Sequence, residues 1–284
     1  MKTIVVSGCD ARHDPLTAEL MASLQAIEDR TFDIGFIRVG EAPAPASITS
    51  VADLVATIVP SAPLGPNEGF QFAYDAIKPR LPELFPGYDV YVWLDGDTWV
   101  QNAIGIQQIA EAALLADISA HSQGDPNYFG CLAPDDYTLD VYAVAFGPED
   151  RQRFARFPMV NAGVFGARAQ SPLWNAWKAT LLDVRSRLQG REQRYYSDQI
   201  PLHRLIYSGS ITLHPLRAVN NWLALHSLPR RDPETGRLTA PSLPYEDIHI
   251  LHLVGASKTH RYQVGGRTTS LRYFDVRDFR AGGR

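Results

Sequence analysis

Two carboxylates follow directly after an apolar segment near the first third of the chain. Asp95 and Asp97, separated by Gly96, come after residues 88–94, which read YDVYVWL and predict a buried strand. The end of such a strand lies at the carboxyl edge of an α/β sheet, where these proteins bind ligands. Two carboxylates there can hold a hard cation such as Mg²⁺ or Mn²⁺, which would neutralise nucleotide phosphate charge. A polar turn that caps a core strand is the simpler alternative.

A second group of candidate residues follows another apolar segment, at residues 248–253. Residues 252–258 read HLVGASK. His252 can supply a third, borderline-soft ligand to a metal that two aspartates already hold. Gly255 lets backbone N–H groups approach a phosphate closely, and Lys258 adds positive charge for a diphosphate. A core histidine and a solvated lysine would explain each residue separately, but their combination favours a phosphate and metal site.

The segments that must position these residues alternate between strand and helix patterns. Strands are predicted at residues 3–7, 32–39, 88–94, 160–167 and 248–253. Helices are predicted at residues 14–27, 70–84, 104–115, 171–188 and 198–207, with a short one near 48–58. Residues 227–245 form a proline-rich excursion, and residues from 261 onward need not be ordered. The β-α-β opening predicts an α/β fold with parallel strands.

The composition narrows the class of protein. The 284 residues include 31 acidic and 27 basic side chains, which is typical of a soluble globular protein and argues against a dedicated nucleic-acid binder. Cys9 and Cys131 are too few for a disulfide framework, so we expect a reducing compartment, the cytoplasm. No apolar run is long enough to span a bilayer, and Asp10 comes too early for a signal peptide.

Four motifs together resemble glycosyltransferase family 8. They read YVWLDGDTWV (91–100), VNAGVFGA (160–167), YSDQI (196–200) and HLVGASK (252–258), in the order and approximate spacing of the family. The resemblance implies a GT-A fold, which is Rossmann-like and α/β with a mixed central sheet. The implied catalytic domain covers residues 1–262, with a nucleotide-binding half to about 100 and an acceptor-binding half after it. Residues 263–284 would be an Arg-rich tail.

The resemblance also implies an activity. The enzyme would move a hexose from a nucleotide sugar, usually a UDP-sugar, to a hydroxyl acceptor with retention at the anomeric carbon. It would need Mn²⁺ or Mg²⁺, held by Asp95, Asp97 and His252. The acceptor would be a glycan, a lipid or a small molecule.

Individual donor-site residues follow from the same resemblance. The base and ribose would lie at the loop after the first strand, with Asp10 at the base, and Asn161 and Ala162 would line the donor sugar. Asp198 and Gln199 would lie beneath the anomeric centre as the catalytic residues. The complete set of implied donor contacts is Ser7, Cys9, Asp10, His13, Lys78, Asp95, Gly96, Asn161, Ala162, Gly255 and Lys258.

The residues themselves favour one route to retention. A neutral amide such as Gln199 is a poor covalent nucleophile, which favours same-face attack, with the departing phosphate oxygen taking the acceptor proton. Asp198 would orient hydroxyl groups. Simpler structural roles are also open: Asp198 could cap its helix, Asn161 could lie in a strand-edge turn, and Asp10 could cap a loop.

Some positions depart from the family pattern. Lys78 stands where an arginine often precedes the first aspartate, and lysine cannot copy a bidentate contact. Thr259 and His260 replace the usual Pro-Trp. A nucleotide-sugar hydrolase or phosphatase and a non-catalytic binding module remain rival functions. The tail excess of seven basic over two acidic residues after Gly255 could contact an anionic membrane, but a solvated tail is favoured.

Overall fold

A seven-stranded mixed sheet forms the centre of the computed structural model, which describes residues 1–62, 70–128, 136–188, 197–264 and 267–281. The described strands are β1 (Thr3–Cys9), β2 (Phe32–Val39), β3 (Leu54–Ile58), β4 (Val90–Leu94), β5 (Thr98–Val100), β6 (Ile118–Ser122), β7 (Val160–Arg168), β8 (Leu213–Leu216), β9 (Trp222–Leu223), β10 (Arg230–Arg231), β11 (Leu238–Thr239), β12 (Ile250–His252), β13 (Tyr262–Val264) and β14 (Arg267–Thr269). The described helices are α1 (Asp14–Gln25), α2 (Ala46–Thr49), α3 (Phe70–Tyr74), α4 (Leu81–Leu84), α5 (Ile104–Ala112), α6 (Asp136–Phe154), α7 (Leu173–Leu188), α8 (Gln199–Tyr207) and α9 (Tyr273–Ala281).

The central sheet has the strand order β3-β2-β1-β4-β7-β6-β8. The first four strands are parallel to one another, and β7 is antiparallel to both of its neighbours, β4 and β6. The last strand, β8, pairs in parallel with β6. This mixed arrangement places the carboxyl ends of β1 and β4 beside the amino end of β7. The α/β fold with a mixed sheet is therefore as predicted.

Alternating side chains on β4 supply apolar surface to both faces of the sheet. Tyr91 and Trp93 join one core cluster, together with Trp177 of α7. Val90, Val92 and Leu94 join the cluster on the opposite face, together with Leu20 of α1. A strand covered on both faces reads as a continuous apolar run, which is why the segment before Asp95 looks so uniformly apolar.

A second sheet of three strands, in the order β5-β12-β9, continues beyond the end of β4. Its core contains Trp99, Trp222 and Leu251, all nearly inaccessible to solvent. Val276 of α9 packs into the same cluster. The C-terminal segment, which the sequence did not require to be ordered, therefore folds against this layer as far as it is described.

Several predicted elements differ from the structure. The helix expected at residues 48–58 is the short α2 followed by strand β3, because the end of that segment pairs with β2. The helix expected at residues 70–84 is divided into α3, a 3-10 turn at Lys78–Arg80 and α4, where Pro79 and Pro82 each begin a new turn. Strands β6 and β8 and helix α6 were not predicted. Among the described residues, no helix has the length and apolar character of a membrane span.

Candidate active site

The two aspartates of the first motif lie in the turn that joins β4 to β5. The backbone N–H of Asp95 donates to the carbonyl of Gly163 in β7 at 2.7 Å, and Thr98 closes the turn by donating to the carbonyl of Asp95 at 3.0 Å. The carbonyl of Asp97 accepts from the N–H of Leu253, just after β12, at 2.9 Å. The turn is thus held by strands from both sheets, and it lies at the sheet edge that the sequence predicted.

Asp95, Asp97 and His252 meet at this turn although 155 residues separate the last two. One ligand atom from each residue lies within 4.8 Å of the others. The Nε2 atom of His252 is 3.2 Å from a carboxylate oxygen of Asp97. Two carboxylates and one imidazole form a donor set that suits a divalent cation such as Mn²⁺. The residues present therefore fit the predicted metal.

Asn221 fixes the orientation of His252. Its Oδ1 atom lies 3.0 Å from Nδ1 of His252, and its amide Nδ2 donates to Oδ1 of Asn161 at 2.9 Å. An Nδ1 proton on His252 would satisfy that contact and leave the Nε2 lone pair directed toward the aspartates. A partner of this kind is typical of histidines that bind metals. Asn221 is fully buried, so the arrangement is well protected.

Gly163 leaves the room that the cluster needs. A Cβ atom at this position would lie 2.3 Å from Cε1 of His252 and 2.8 Å from Oδ2 of Asp95. Its backbone N–H also donates to Oδ1 of Asn161 at 2.9 Å. The glycine of the NAG sequence is therefore required because any side chain would displace two of the candidate metal ligands.

Lys78 joins the first aspartate to the predicted catalytic pair. Its Nζ lies 3.0 Å from Oδ1 of Asp95 and 2.7 Å from Oδ2 of Asp198, and it donates to the carbonyl of Ala162 at 2.9 Å. Burial alone would lower the pKa of Lys78, but the two carboxylates outweigh it and raise that pKa. Lys78 is therefore charged and fixed in place.

The pKa values of the two carboxylates that contact Lys78 are shifted in opposite directions. Burial alone would raise the pKa of Asp95, but the charges of Lys78 and His252 bring it below its usual value. For Asp198, burial and the proximity of Asp95 outweigh the attraction of Lys78, so its pKa is raised. The two acids of the site thus differ in how readily they carry charge.

Lys258 contacts the second aspartate of the turn. Its Nζ is 2.9 Å from Oδ2 of Asp97. Partial burial lowers the pKa of Lys258 to about 8. Burial alone would lower the pKa of His252, but the adjacent Asp97 raises it above its usual value. The structure thus brings the second motif to the aspartate turn, with Gly255 at a φ of +54° opening the 3-10 turn that carries Lys258.

Asp198 and Gln199 lie at the start of α8, facing β7. Asp198 makes no capping hydrogen bond with its side chain, so the capping alternative is not observed. The Oε1 atom of Gln199 is 3.4 Å from the N–H of Ala162 and 3.5 Å from Nδ2 of Asn161. Asn161 is buried within β7 rather than in an edge turn. These four residues are therefore brought together as predicted.

In the loop after β1, Asp10 contacts residues of its own segment. Asp10 caps the short 3-10 turn by accepting from the N–H of Arg12 at 2.9 Å, and its carboxylate also contacts the side chains of Arg12 and His13. Burial alone would raise the pKa of Asp10, but these contacts hold it well below its usual value. The capping role is thus observed, while the base contact stays a prediction. Ser7 is buried inside β1.

A charged cavity lies over these residues. Eight residues implied as donor, metal or catalytic contacts line it: Cys9, His13, Lys78, Asp95, Gly96, Asp97, Asp198 and Lys258. Gly8 and Phe72 also line it but were not predicted. Asn221 was missed as well, because a lone asparagine before a buried tryptophan carries no recognisable motif. Gly163 could have been found, since it completes the NAG sequence.

Comparisons with known proteins agree with this architecture. No family model and no curated protein matches the chain. A structure of the galactosyltransferase LgtC in complex with donor and acceptor sugar analogues matches with a TM-score of 0.54 and 14% identity, over 89% of this chain and 88% of that one. An active-site mutant of LgtC matches with a TM-score of 0.59 and 14% identity, over 97% and 95%. The chain therefore has the GT-A fold of these structures, as the motifs predicted.

Proposed function

We propose that the protein is a metal-dependent retaining glycosyltransferase. It would move a hexose from a nucleotide sugar, most simply a UDP-sugar, to a hydroxyl acceptor. The observation that carries this proposal is the cluster of Asp95, Asp97 and His252, with Lys258 beside it, at the edge of a GT-A sheet. The two LgtC structures are of a galactosyltransferase, which supports sugar transfer over other uses of this fold.

We propose that the two halves of the chain bind different parts of the donor. Residues to about 100 would bind the nucleotide, with Cys9, Asp10 and His13 beside the base and ribose. Residues from about 101 to 262 would bind the sugar and acceptor, with Asn161 and Ala162 under the sugar. We also propose a cytoplasmic location, since the composition favours a reducing compartment.

The site would stabilise the negative charge that develops on the diphosphate as it leaves the sugar. Mn²⁺ or Mg²⁺, held by Asp95, Asp97 and His252, would supply positive charge to the leaving group. Lys258 would add a charge-assisted hydrogen bond to the same phosphates. Because charge develops on these oxygens as the glycosidic bond breaks, the lysine stabilises the transition state more than the bound donor.

We propose that the acceptor attacks from the face that the diphosphate leaves. The acceptor oxygen forms the new bond to the anomeric carbon, the bond to the β-phosphate oxygen breaks, and that oxygen takes the acceptor proton. Gln199 is neutral and would polarise the sugar rather than attack it. Asp198 is buried and paired with Lys78, which suits the orientation of hydroxyl groups better than nucleophilic attack.

The first experiment is calorimetric titration with UDP in the presence of Mn²⁺ and then of EDTA. We expect binding that requires the metal and is lost in Asp97→Ala. Asp183→Ala is the matched control, because Asp183 is an exposed aspartate of α7 that pairs with Arg187. Metal-independent binding, or unchanged binding in Asp97→Ala, would contradict the proposed site.

A second experiment separates transfer from hydrolysis. Donor sugars are screened with a panel of hydroxyl acceptors, and both UDP and the sugar product are measured. We expect glycosides with the anomeric configuration of the donor, whereas free sugar as the main product at saturating acceptor would favour the hydrolase. Gln199→Ala should lower turnover and leave UDP affinity unchanged. Gln199→Glu tests whether the side chain at this position must be neutral. One of the LgtC structures carries the same type of substitution and is described as an active-site mutant.

A further inference from the structure

A second cleft lies beside the chain segments that carry His252 and Lys258. Its walls are residues 224–228, Pro241, Ala256, Ser257 and the rings of His260 and Tyr262, and its volume is about 530 Å³. A cleft of this size is in the range of small-molecule sites. We name it the outer cleft.

The outer cleft borders the two chain segments that carry His252 and Lys258. The N–H of Ala224 donates to the carbonyl of His252 at 3.0 Å. The side chain of Leu225 lies 3.6 Å from where a Cβ atom of Gly255 would be. Ala256 lines the cleft and is two residues before Lys258, whose Nζ contacts Asp97. The outer cleft is therefore built in part from the segments that also carry the proposed metal and phosphate contacts.

The chemistry of the outer cleft differs sharply from that of the charged cavity. Leu225 and Leu228 are 50% and 52% exposed, which is unusual for two leucines at one cleft. The rings of His260 and Tyr262 pack together with centroids 4.4 Å apart. Among the described residues, the lining includes no carboxylate, no carboxamide, no lysine and no arginine.

This lining distinguishes between two kinds of occupant. A sugar ring presents several hydroxyl groups, each of which needs a hydrogen-bond partner when water is removed. The polar side chains of the lining belong to His226, Ser227, Ser257, His260 and Tyr262, but apolar atoms contribute the larger part of its surface, and Ser257 already donates to the carbonyl of Val254 at 2.8 Å. An alkyl or aryl group has no such requirement and would cover the exposed leucines. The outer cleft therefore suits an apolar group.

We infer that the outer cleft binds the apolar part of the acceptor, so that the substrate is an amphiphilic hydroxyl compound. The hydroxyl would reach the anomeric carbon while the alkyl or aryl part lies against Leu225 and Leu228. This inference rests on the proposed function for its meaning, but the binding of an apolar group can be measured without turnover.

The test compares octyl β-glucoside with methyl β-glucoside, which share a head group and differ only in the chain. Saturation-transfer NMR is recorded with the full chain, UDP and Mn²⁺, at concentrations below micelle formation. We expect transfer to the octyl chain and at least about tenfold weaker binding of the methyl compound. Leu225→Ser/Leu228→Ser should reduce octyl binding by about tenfold. Leu114→Ser, at a similarly exposed leucine after α5, should leave it unchanged.

Equal binding of the two glucosides, or undiminished octyl binding in the double variant, would overturn the inference. Because both leucines are half exposed, the double variant should fold, and Leu225→Ala/Leu228→Ala gives a milder check. Loss of metal-dependent UDP binding with octyl binding intact would instead count against the proposed function. Flotation with phosphatidylcholine vesicles would show whether the apolar group belongs to a bilayer lipid or to a dispersed molecule.

Discussion

Lys78 and Lys258 contact the two ends of the same Asp95-Gly96-Asp97 turn, yet they are held very differently. Lys78 lies between two carboxylates and a carbonyl, and 5% of its side chain is exposed. Lys258 is 11% exposed, with Asp97 as its carboxylate contact. The pKa of Lys78 is raised by its carboxylates, whereas burial lowers that of Lys258.

This difference indicates that Lys78 is needed for the folded structure, whereas Lys258 can bind a ligand. Removing Lys78 would leave the buried Asp198 and the partly exposed Asp95 without their shared cation, so its charge is needed for the folded state. Lys258 lines the charged cavity, where it can exchange the contact with Asp97 for one with an anionic donor. In the proposed function, Lys78 therefore positions Asp95 and Asp198, and Lys258 is available to the diphosphate.

Lys78→Met gives the largest expected effect on folding. The substitution keeps the approximate volume but leaves two carboxylates uncompensated, which should lower the free energy of unfolding by about 3–5 kcal/mol. Denaturant unfolding measures the change. Lys178→Met is the matched control, because Lys178 is one-third exposed and pairs with Glu83, so it should cost less than about 1 kcal/mol. Equal losses in the two variants would remove the distinction between the lysines.

Gly163→Ala tests whether the space around the metal ligands matters as much as their charges. The new methyl group would collide with His252 and Asp95, so metal-dependent UDP binding should weaken at least about a hundredfold. Calorimetry with Mn²⁺ measures the affinity, and the thermal midpoint reports on folding. Affinity within a few-fold of the wild-type value would show that the cluster can rearrange and that the glycine is not required.

The sequence predicted the parts of the site that follow strand ends and missed those that arise from packing. Asp95 and His252 were found because each follows an apolar run and begins a short motif, and the family resemblance then assigned places to Asp198 and Gln199. Asn221 reaches His252 only because β9 pairs with β12 in parallel, and no local pattern shows this pairing. Lys78 was predicted as a donor contact, and its two carboxylate partners appeared only in the structure.

The fold shows the same limit. The segment of β3 has exposed apolar residues such as Leu54 and Val55, so its short mixed pattern did not separate strand from helix. Strand β6 contains Ser119 and His121, both buried, which disguised its apolar character. Strand β8 includes Pro215, which local propensity assigns to a loop, although an edge strand can accept it. Tertiary pairing decided all three segments.

Arg272→Ala tests whether the C-terminal segment supports the Lys258 side of the turn. Arg272 forms an ion pair with the buried Glu19 of α1, and the indole of Trp99 donates to the carbonyl of Leu271 at 2.9 Å. Leaving Glu19 unpaired should lower the free energy of unfolding by about 2–3 kcal/mol. Arg277→Ala, on the exposed side of α9, should cost less than about 1 kcal/mol.

Arg272→Ala also shows whether the C-terminal segment affects UDP binding or only folding. Because Trp99 lies on β5, which pairs with β12 beside His252, we expect metal-dependent UDP affinity to fall in Arg272→Ala. An unchanged free energy of unfolding would show that the contact between the C-terminal segment and α1 contributes little to stability. Lowered stability with unchanged UDP affinity would confine its role to folding.

Lys258→Met has the smallest expected effect on stability and separates the lysines most directly. Loss of one charge-assisted hydrogen bond should weaken metal-dependent UDP binding about tenfold, while the free energy of unfolding should fall by about 1–2 kcal/mol, because one carboxylate rather than two loses its lysine contact. Lys258→Arg keeps the charge and should recover most of the affinity. If Lys258→Met instead destabilises the protein as much as Lys78→Met and binds UDP normally, both lysines belong to the scaffold, and the diphosphate must be held by other groups.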